Sequence, residues 1–260
     1  MTVEEKIQNQ LRNCDRWFRN SLHEECIREL WEIVPPALGE VEDIEIIGVS
    51  RTYKVVFKDG RKWKTYIFRG NEFEKLVRIV HEAGIRVAKP VGDIPRKAPG
   101  SMRWRFVEWI EGHCDRDSMR NRIKLQEIPP DDWYKLGELI GQVHSIKSSE
   151  ALPTRFIGVC DILWANYIKK DNGEVWISDT KKFFPDVIPD RWIYQFVMFN
   201  EHILLEQKIA FTKGYVSTLK GVRSKEGLAS IEAAMIFSKE VYEKLAREQR
   251  ISTCKTCSKK

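Results

Sequence analysis

The sequence predicts an α+β chain in two lobes, a small antiparallel-sheet lobe with one helix and a larger, mainly helical one, behind an N-terminal helical extension. Three observations predict it. Between Ile44 and Gly112, short β-rich runs are broken by turn signals, with one helical pattern among them. From Asp131 onward, long apolar repeats at helical spacing take over. Ahead of Pro35-Pro36 stand two further helical repeats.

Thr2 and Glu5 form a capping-box pattern, and Ile7, Leu11, Cys14, Trp17 and Phe18 continue it at helical intervals. A second helix is expected over Leu22 to Val34, stopped by the prolines. This extension, residues 1–40, is expected to cap the sheet lobe or to form a dimer contact. Residues 41–111 read as the sheet lobe. Ile44 to Gly48, Tyr53 to Phe57 and Trp63 to Arg69 are three strands, the last two joined by the turn signal Asp59-Gly60. Asn71 to Ala83 is an amphipathic helix with Phe73, Leu76, Val77, Ile79 and Val80 as its stripe, and Gly84 ends it. Ile85 to Gly92 and Arg103 to Gly112 suggest two more strands around a Pro/Gly loop.

Residues 112–250 read as the helical lobe. Asp131-Asp132 opens a helix over Trp133 to Ile146, with Trp133, Leu136, Leu139, Ile140 and Val143 on one side and His144 near its end as a packed or C-terminal-dipole residue. Trp192 to Ile209 and Leu228 to Arg247 are further helices, and residues 251–260 a basic, disordered tail.

Composition bounds the function classes. With 42% hydrophobic and 32% charged residues, the 260-residue chain has enough apolar material for two lobes and no stretch that would span a bilayer. An acidic pair, Glu4-Glu5, stands where a signal peptide would be basic, so a cytoplasmic location is expected. The net charge of +6 favours anionic ligands but is too modest to indicate nucleic acid. Six scattered cysteines read as free thiols in a reduced compartment. Cys254 and Cys257 have metal-knuckle spacing without a second pair.

The chemistry concentrates in Cys160-Asp161-Ile162-Leu163-Trp164-Ala165-Asn166 and the run Val175-Trp176-Ile177-Ser178-Asp179. A turn at Lys170-Asp171-Asn172-Gly173 reverses the chain between them, so Asp161, Asn166 and Asp179 are expected to converge at one end of a hairpin. Asn166 and Asp179 are oxygen donors suited to a hard cation such as Mg²⁺. Asp161 is then free to orient or deprotonate a hydroxyl.

This order, Asp, four residues, Asn, then an apolar strand ending in Asp, resembles the catalytic segment of the protein-kinase-like superfamily, in its aminoglycoside and choline phosphotransferase branch. The resemblance spans residues 44–247 and implies the two-lobed protein-kinase-like fold, ATP or GTP as donor, Mg²⁺ on Asn166 and Asp179, and Asp161 as the catalytic residue. It implies that the loop Gly48 to Thr52, with Ser50, lies over the phosphates. Arg69 matches the phosphate-binding cation of the third strand, with Lys64 as the alternative, and Glu74 or Glu72 as its helix partner. Backbone groups of Glu108, Trp109 and Ile110 would meet the base.

The chain departs from the family pattern at Arg69 in place of Lys, at Val159 where a His is usual, and at Thr180-Lys181-Lys182 after the metal-binding Asp. The expectation is a Mg-dependent kinase acting on a hydroxyl of a small molecule or protein. The alternatives are a pseudokinase that binds nucleotide or a protein partner without turnover, and a basic module for acidic partners or RNA. The acceptor would be chosen by loops such as Asp115 to Pro130 and Phe183 to Arg191.

Overall fold

The computed structural model of the chain describes residues 1–13, 21–48, 51–69, 72–97, 102–113, 122–147, 156–159, 166–178, 183–187, 197 and 200–218. They fall into two compact units, residues 1–112 with 176–181, and residues 113–175 with 182–260.

The first unit is built on a five-stranded antiparallel sheet in the order β1-β2-β3-β5-β4, formed by β1 (Val41–Gly48), β2 (Thr52–Phe57), β3 (Lys62–Arg69), β4 (Pro90–Pro95) and β5 (Met102–Glu108). The β2–β3 turn uses Gly60 at φ 86°, and Asp59 Oδ1 accepts from the Arg61 N–H at 3.0 Å. Such a positive φ is cheap only for glycine. The first strand of the expected pair over 85–92 is shorter than anticipated and shifted. Val87 makes only an isolated bridge to Ile177, and the ladder begins at Pro90. β4 is an edge strand, where the missing N–H of Pro90 and Pro95 is tolerated.

Strand alternation divides the sheet into two faces. Ile44, Val55, Phe57, Tyr53, Trp104 and Phe106 are buried on one of them. The helices that cover this face are α1 (Val3–Asn13) and α2 (Ser21–Leu38), whose Ile7, Leu11, Ile27, Leu30 and Val34 join the same apolar cluster. The first helix starts on the expected capping box, with Thr2 N–H donating to Glu5 Oε2 at 2.6 Å and Glu5 N–H to Thr2 Oγ1 at 3.2 Å. Contrary to expectation, α2 runs through Pro35 and Pro36 to Leu38. Proline's φ is helical, and both residues sit in the last turn, so each forfeits one hydrogen bond without breaking the helix. Arg96 and Glu29, 4% and 7% exposed, form a 2.7 Å ion pair that ties α2 to the end of β4. The extension thus caps the sheet within the same chain. On the sequence side, α3 (Glu72–Glu82) follows β3 as expected, and Gly84 at φ 76° ends it.

In the second unit, α4 (Pro130–Val143) and α5 (Leu205–Thr218) cross at unusually close range. A methyl group on Gly137 would stand 2.0 Å from the Phe211 carbonyl oxygen, and one on Gly214 2.0 Å from that of Tyr134. His144 is fully buried, with Nδ1 2.8 Å from the Tyr215 hydroxyl, as a packed residue should be. Of the helix expected over 192–209, residues 200–204 form a turn and 205–209 open α5, while 192–196 and 198–199 lie outside the described residues. Asn200 Oδ1 accepts from the His202 N–H and Gln207 Oε1 from the Leu204 N–H, which form a turn and a cap before Leu205. Residues 183–187, expected in a loop, form a strand that pairs with Phe156–Val159. Here they are β9 and β6; between them in sequence β7 (Tyr167–Lys169) pairs with β8 (Val175–Ile177), whose last two residues count with the first unit. Leu228 to Arg247, the tail, Cys254 and Cys257 lie outside the described residues. Among the described residues, no helix is long and apolar enough to cross a membrane.

Candidate nucleotide site

The face of the sheet opposite α1 and α2 carries a charged row. Register places Glu45 against Lys54, Lys54 against Lys64, and Lys64 against Val107. Directly opposed residues of an antiparallel pair share a face, so these four side chains lie side by side across four strands. Two lysines in direct opposition repel unless each has a partner. Lys54 donates to Glu45 at 3.1 Å and stands 5.1 Å from the centroid of the Trp109 ring. Lys64 Nζ donates to the Ser178 carbonyl at 2.8 Å.

That last contact matters because Ser178 immediately precedes Asp179. Residues 176–181 belong to the sheet unit. They are anchored there by backbone bonds from Ala88 N–H to Ile177 O at 3.1 Å and from Ile177 N–H to Arg86 O at 2.9 Å. The cation brought to the Asp179 segment is therefore Lys64. Arg69 stands at the far end of β3, in register with Met102. Its position shares the parity of Trp63, Thr65 and Ile67, the opposite set from Lys64. The alternation Val55-Phe57 and Trp63-Thr65-Ile67 carried the signal that the even positions 54 and 64 form the other face.

At the end of β5, the three residues expected to meet the base separate by what their N–H groups do. The Glu108 N–H donates to Lys89 O at 2.8 Å and the Trp109 N–H to Lys62 O at 3.1 Å. Among the described residues, none accepts from the Ile110 N–H. Glu108 is in register with Trp63, on the covered-face set, so its side chain does not join the charged row. Lys62 bridges Glu111 at 2.7 Å, and this holds the Glu111 carboxyl below the usual carboxylate range.

In the second unit, Asn166 immediately precedes β7 and is 8% exposed. The hairpin turn beyond it forms as anticipated. Gly173 N–H donates to Lys170 O at 2.8 Å, Glu174 N–H to Asn172 Oδ1 at 3.0 Å, and Gly173 takes φ 79°. Lys169 is fixed by Asp132 at 2.6 Å and by paired backbone bonds with His113. The residue before the strand thus carries a buried carboxamide, and carboxamide plus carboxylate is a donor set that fits Mg²⁺. Asp161, Asp179 and Ser50 lie outside the described residues, and Glu72 and Glu74 stand in the first turn of α3 with only their backbone described.

No family model matches the chain, and no curated protein matches it. Solved structures do resemble it. An aminoglycoside phosphotransferase from Alicyclobacillus acidocaldarius aligns over 80% of this chain and 92% of its own, at 8% identity and TM-score 0.48. WaaP in complex with acyl carrier protein aligns over 80% and 92%, at 19% identity and TM-score 0.46. The choline kinase LicA from Streptococcus pneumoniae aligns over 84% and 91%, at 13% identity and TM-score 0.41. At this distance the fold assignment stands on the chain's own elements, the antiparallel sheet with its single helix and the helical second unit.

Proposed function

We propose that the protein is a Mg-dependent phosphotransferase that moves the γ-phosphate of a purine nucleoside triphosphate to a hydroxyl group. What carries this reading is the hydrogen bond from Lys64 to the carbonyl of Ser178, which pairs a strand cation with the segment holding Asp179. A cation there answers phosphate oxygens, and phosphoryl transfer depends chiefly on such positioning and charge. Lys64 takes the α- and β-phosphates. Arg69, with Glu74 or Glu72, is a further cation at the strand end, and Ser50 caps the phosphates from its loop. The Ile110 N–H, with the backbone of Glu108 and Trp109 around it, receives the base edge. Asn166 and Asp179 hold Mg²⁺, which when bound supplies charge neutralisation on the phosphates. Asp161 accepts the proton of the acceptor hydroxyl as its oxygen bonds to the γ-phosphorus, and the departing nucleoside diphosphate keeps the electron pair of the broken P–O bond.

A second reading, nucleotide binding without turnover, is favoured by Val159, which is buried in β6 where the resemblance would have a histidine. One experiment separates the two. Phosphate release or transfer, assayed over a panel of hydroxyl acceptors, is expected from the native protein and absent from Asp161→Ala, with Mg-nucleotide affinity retained. A native protein that binds nucleotide but never transfers phosphate, to water or to any acceptor, supports the second reading instead.

A further inference from the structure

We propose that Lys54 reads the purine base and gives the site a preference for 6-oxopurines, guanine nucleotides above all. This rests on the phosphotransferase reading and deepens it. The row that carries Lys64 continues to Lys54 on the neighbouring strand, so a nucleotide whose phosphates lie on Lys64 meets Lys54 on the same face. The ammonium of Lys54 is held in place from two sides. Glu45 accepts from it through both carboxylate oxygens, at 3.1 and 3.3 Å, and the Trp109 ring lies 5.1 Å away. Trp109 belongs to the segment that follows β5, next to the Ile110 N–H. The side chain of Lys54 is only 16% exposed, so its charge is shielded from bulk water and its attraction for an acceptor is strengthened.

A base on this segment therefore meets two donors, the Ile110 N–H and the Lys54 ammonium. The Glu108 and Trp109 N–H groups are spent on Lys89 and Lys62. Guanine presents two adjacent acceptors, O6 and N7, and lysine is a common partner for that pair. Adenine presents N7 beside a 6-amino donor, which would face the ammonium with no bond to make. An unpaired donor in a shielded site is a larger penalty than a missing contact. A lysine kept partly buried by an aromatic ring and a carboxylate would otherwise be an expensive choice for a strand position facing a ligand.

Equilibrium binding of Mg-GTP, Mg-ITP and Mg-ATP to the full chain tests the inference, with Lys54→Met and Lys54→Arg alongside the native protein. GTP and ITP, which share the 6-oxo group, are expected to bind about ten-fold more tightly than ATP, the discrimination one good donor–acceptor pair provides. Lys54→Met is expected to bring both down to the ATP level, and Lys54→Arg, which keeps the donors, to preserve the preference. Equal affinities in the native protein overturn the proposal and leave the phosphotransferase reading standing. So does a loss in Lys54→Met that is the same for all three nucleotides. No binding of any of them overturns both.

Discussion

The two faces of the five-stranded sheet divide the labour of the first unit. One is apolar, aromatic and sealed by α1 and α2, with Tyr53 against Trp104 at 5.7 Å and Phe57 against Trp63 at 4.7 Å. The other carries Glu45, Lys54 and Lys64 in one cross-strand row. The same strands supply both, because successive residues point to opposite faces. Apolar burial is concentrated on the first face, with the Arg96–Glu29 ion pair at its edge, and the lysines stand on the other, where the proposed ligand would bind. A partner for Lys54 and for Lys64 is needed even without that ligand, and Glu45 and the Ser178 carbonyl supply it.

The comparison breaks most sharply on the sealed side. Leu30→Ala, at a fully buried position of α2, is expected to cost about 2–5 kcal/mol in urea unfolding. Its effect on nucleotide affinity measured on the folded fraction should be negligible. The glycine crossing of the second unit is a matching case. Gly214→Ala drives a methyl group into the Tyr134 carbonyl and is expected to cost about 3 kcal/mol or more, since backbone on one helix cannot step aside as a side chain can. A loss below about 1 kcal/mol in either variant would mean that these contacts are not as close as they stand.

The polar side predicts the reverse pattern. Lys64→Ala is expected to weaken Mg-nucleotide binding on the order of 100-fold, the worth of one charge-assisted hydrogen bond to phosphate, while changing stability by about 1 kcal/mol or less. Calorimetry and urea unfolding on the same preparation read both numbers.

Acid should act mainly through buried histidines. Burial pushes His144 down to about 3, and His23, buried beside Tyr53, is lowered in the same direction. The folded protein therefore resists protonation that the unfolded chain accepts below about pH 6.5. Stability is full above that value and declines as pH falls toward 3. His144 alone accounts for roughly 2 kcal/mol between pH 7 and pH 5. His144→Phe is expected to flatten that part of the slope; an unchanged slope would place the acid sensitivity elsewhere. The smallest effect belongs to the exposed pair of Lys62 and Glu111. Lys62→Ala should move stability by about 0.5 kcal/mol or less, diminishing further with salt.

Much of this was legible in the residues. Asp59-Gly60 and Lys170-Asp171-Asn172-Gly173 specify their turns locally, through a positive φ or a side-chain acceptor, so both hairpins could be read without knowing the fold. The Thr2 and Glu5 capping box is equally local. What could not be read depends on partners distant in sequence. Gly137 and Gly214 are neutral letters until α4 and α5 are brought together. Strands β6 and β9 are short, and Pro185 disguises the second. Distance from the strand end favours Arg69 as the phosphate-binding cation, and alternation favours Lys64. Register, which decides the face, depends on how β2, β3 and β5 pair and puts Lys64 in the row with Lys54.

The most direct test of the polar face is isothermal titration of ATP and GTP into the native protein, Lys64→Ala and Asp179→Ala, each with and without Mg²⁺. Binding that requires Mg²⁺ in the native protein, falls about 100-fold in Lys64→Ala and loses its metal dependence in Asp179→Ala is the predicted result. Native affinity in a folded Lys64→Ala, or no nucleotide binding by the native chain, would contradict the account.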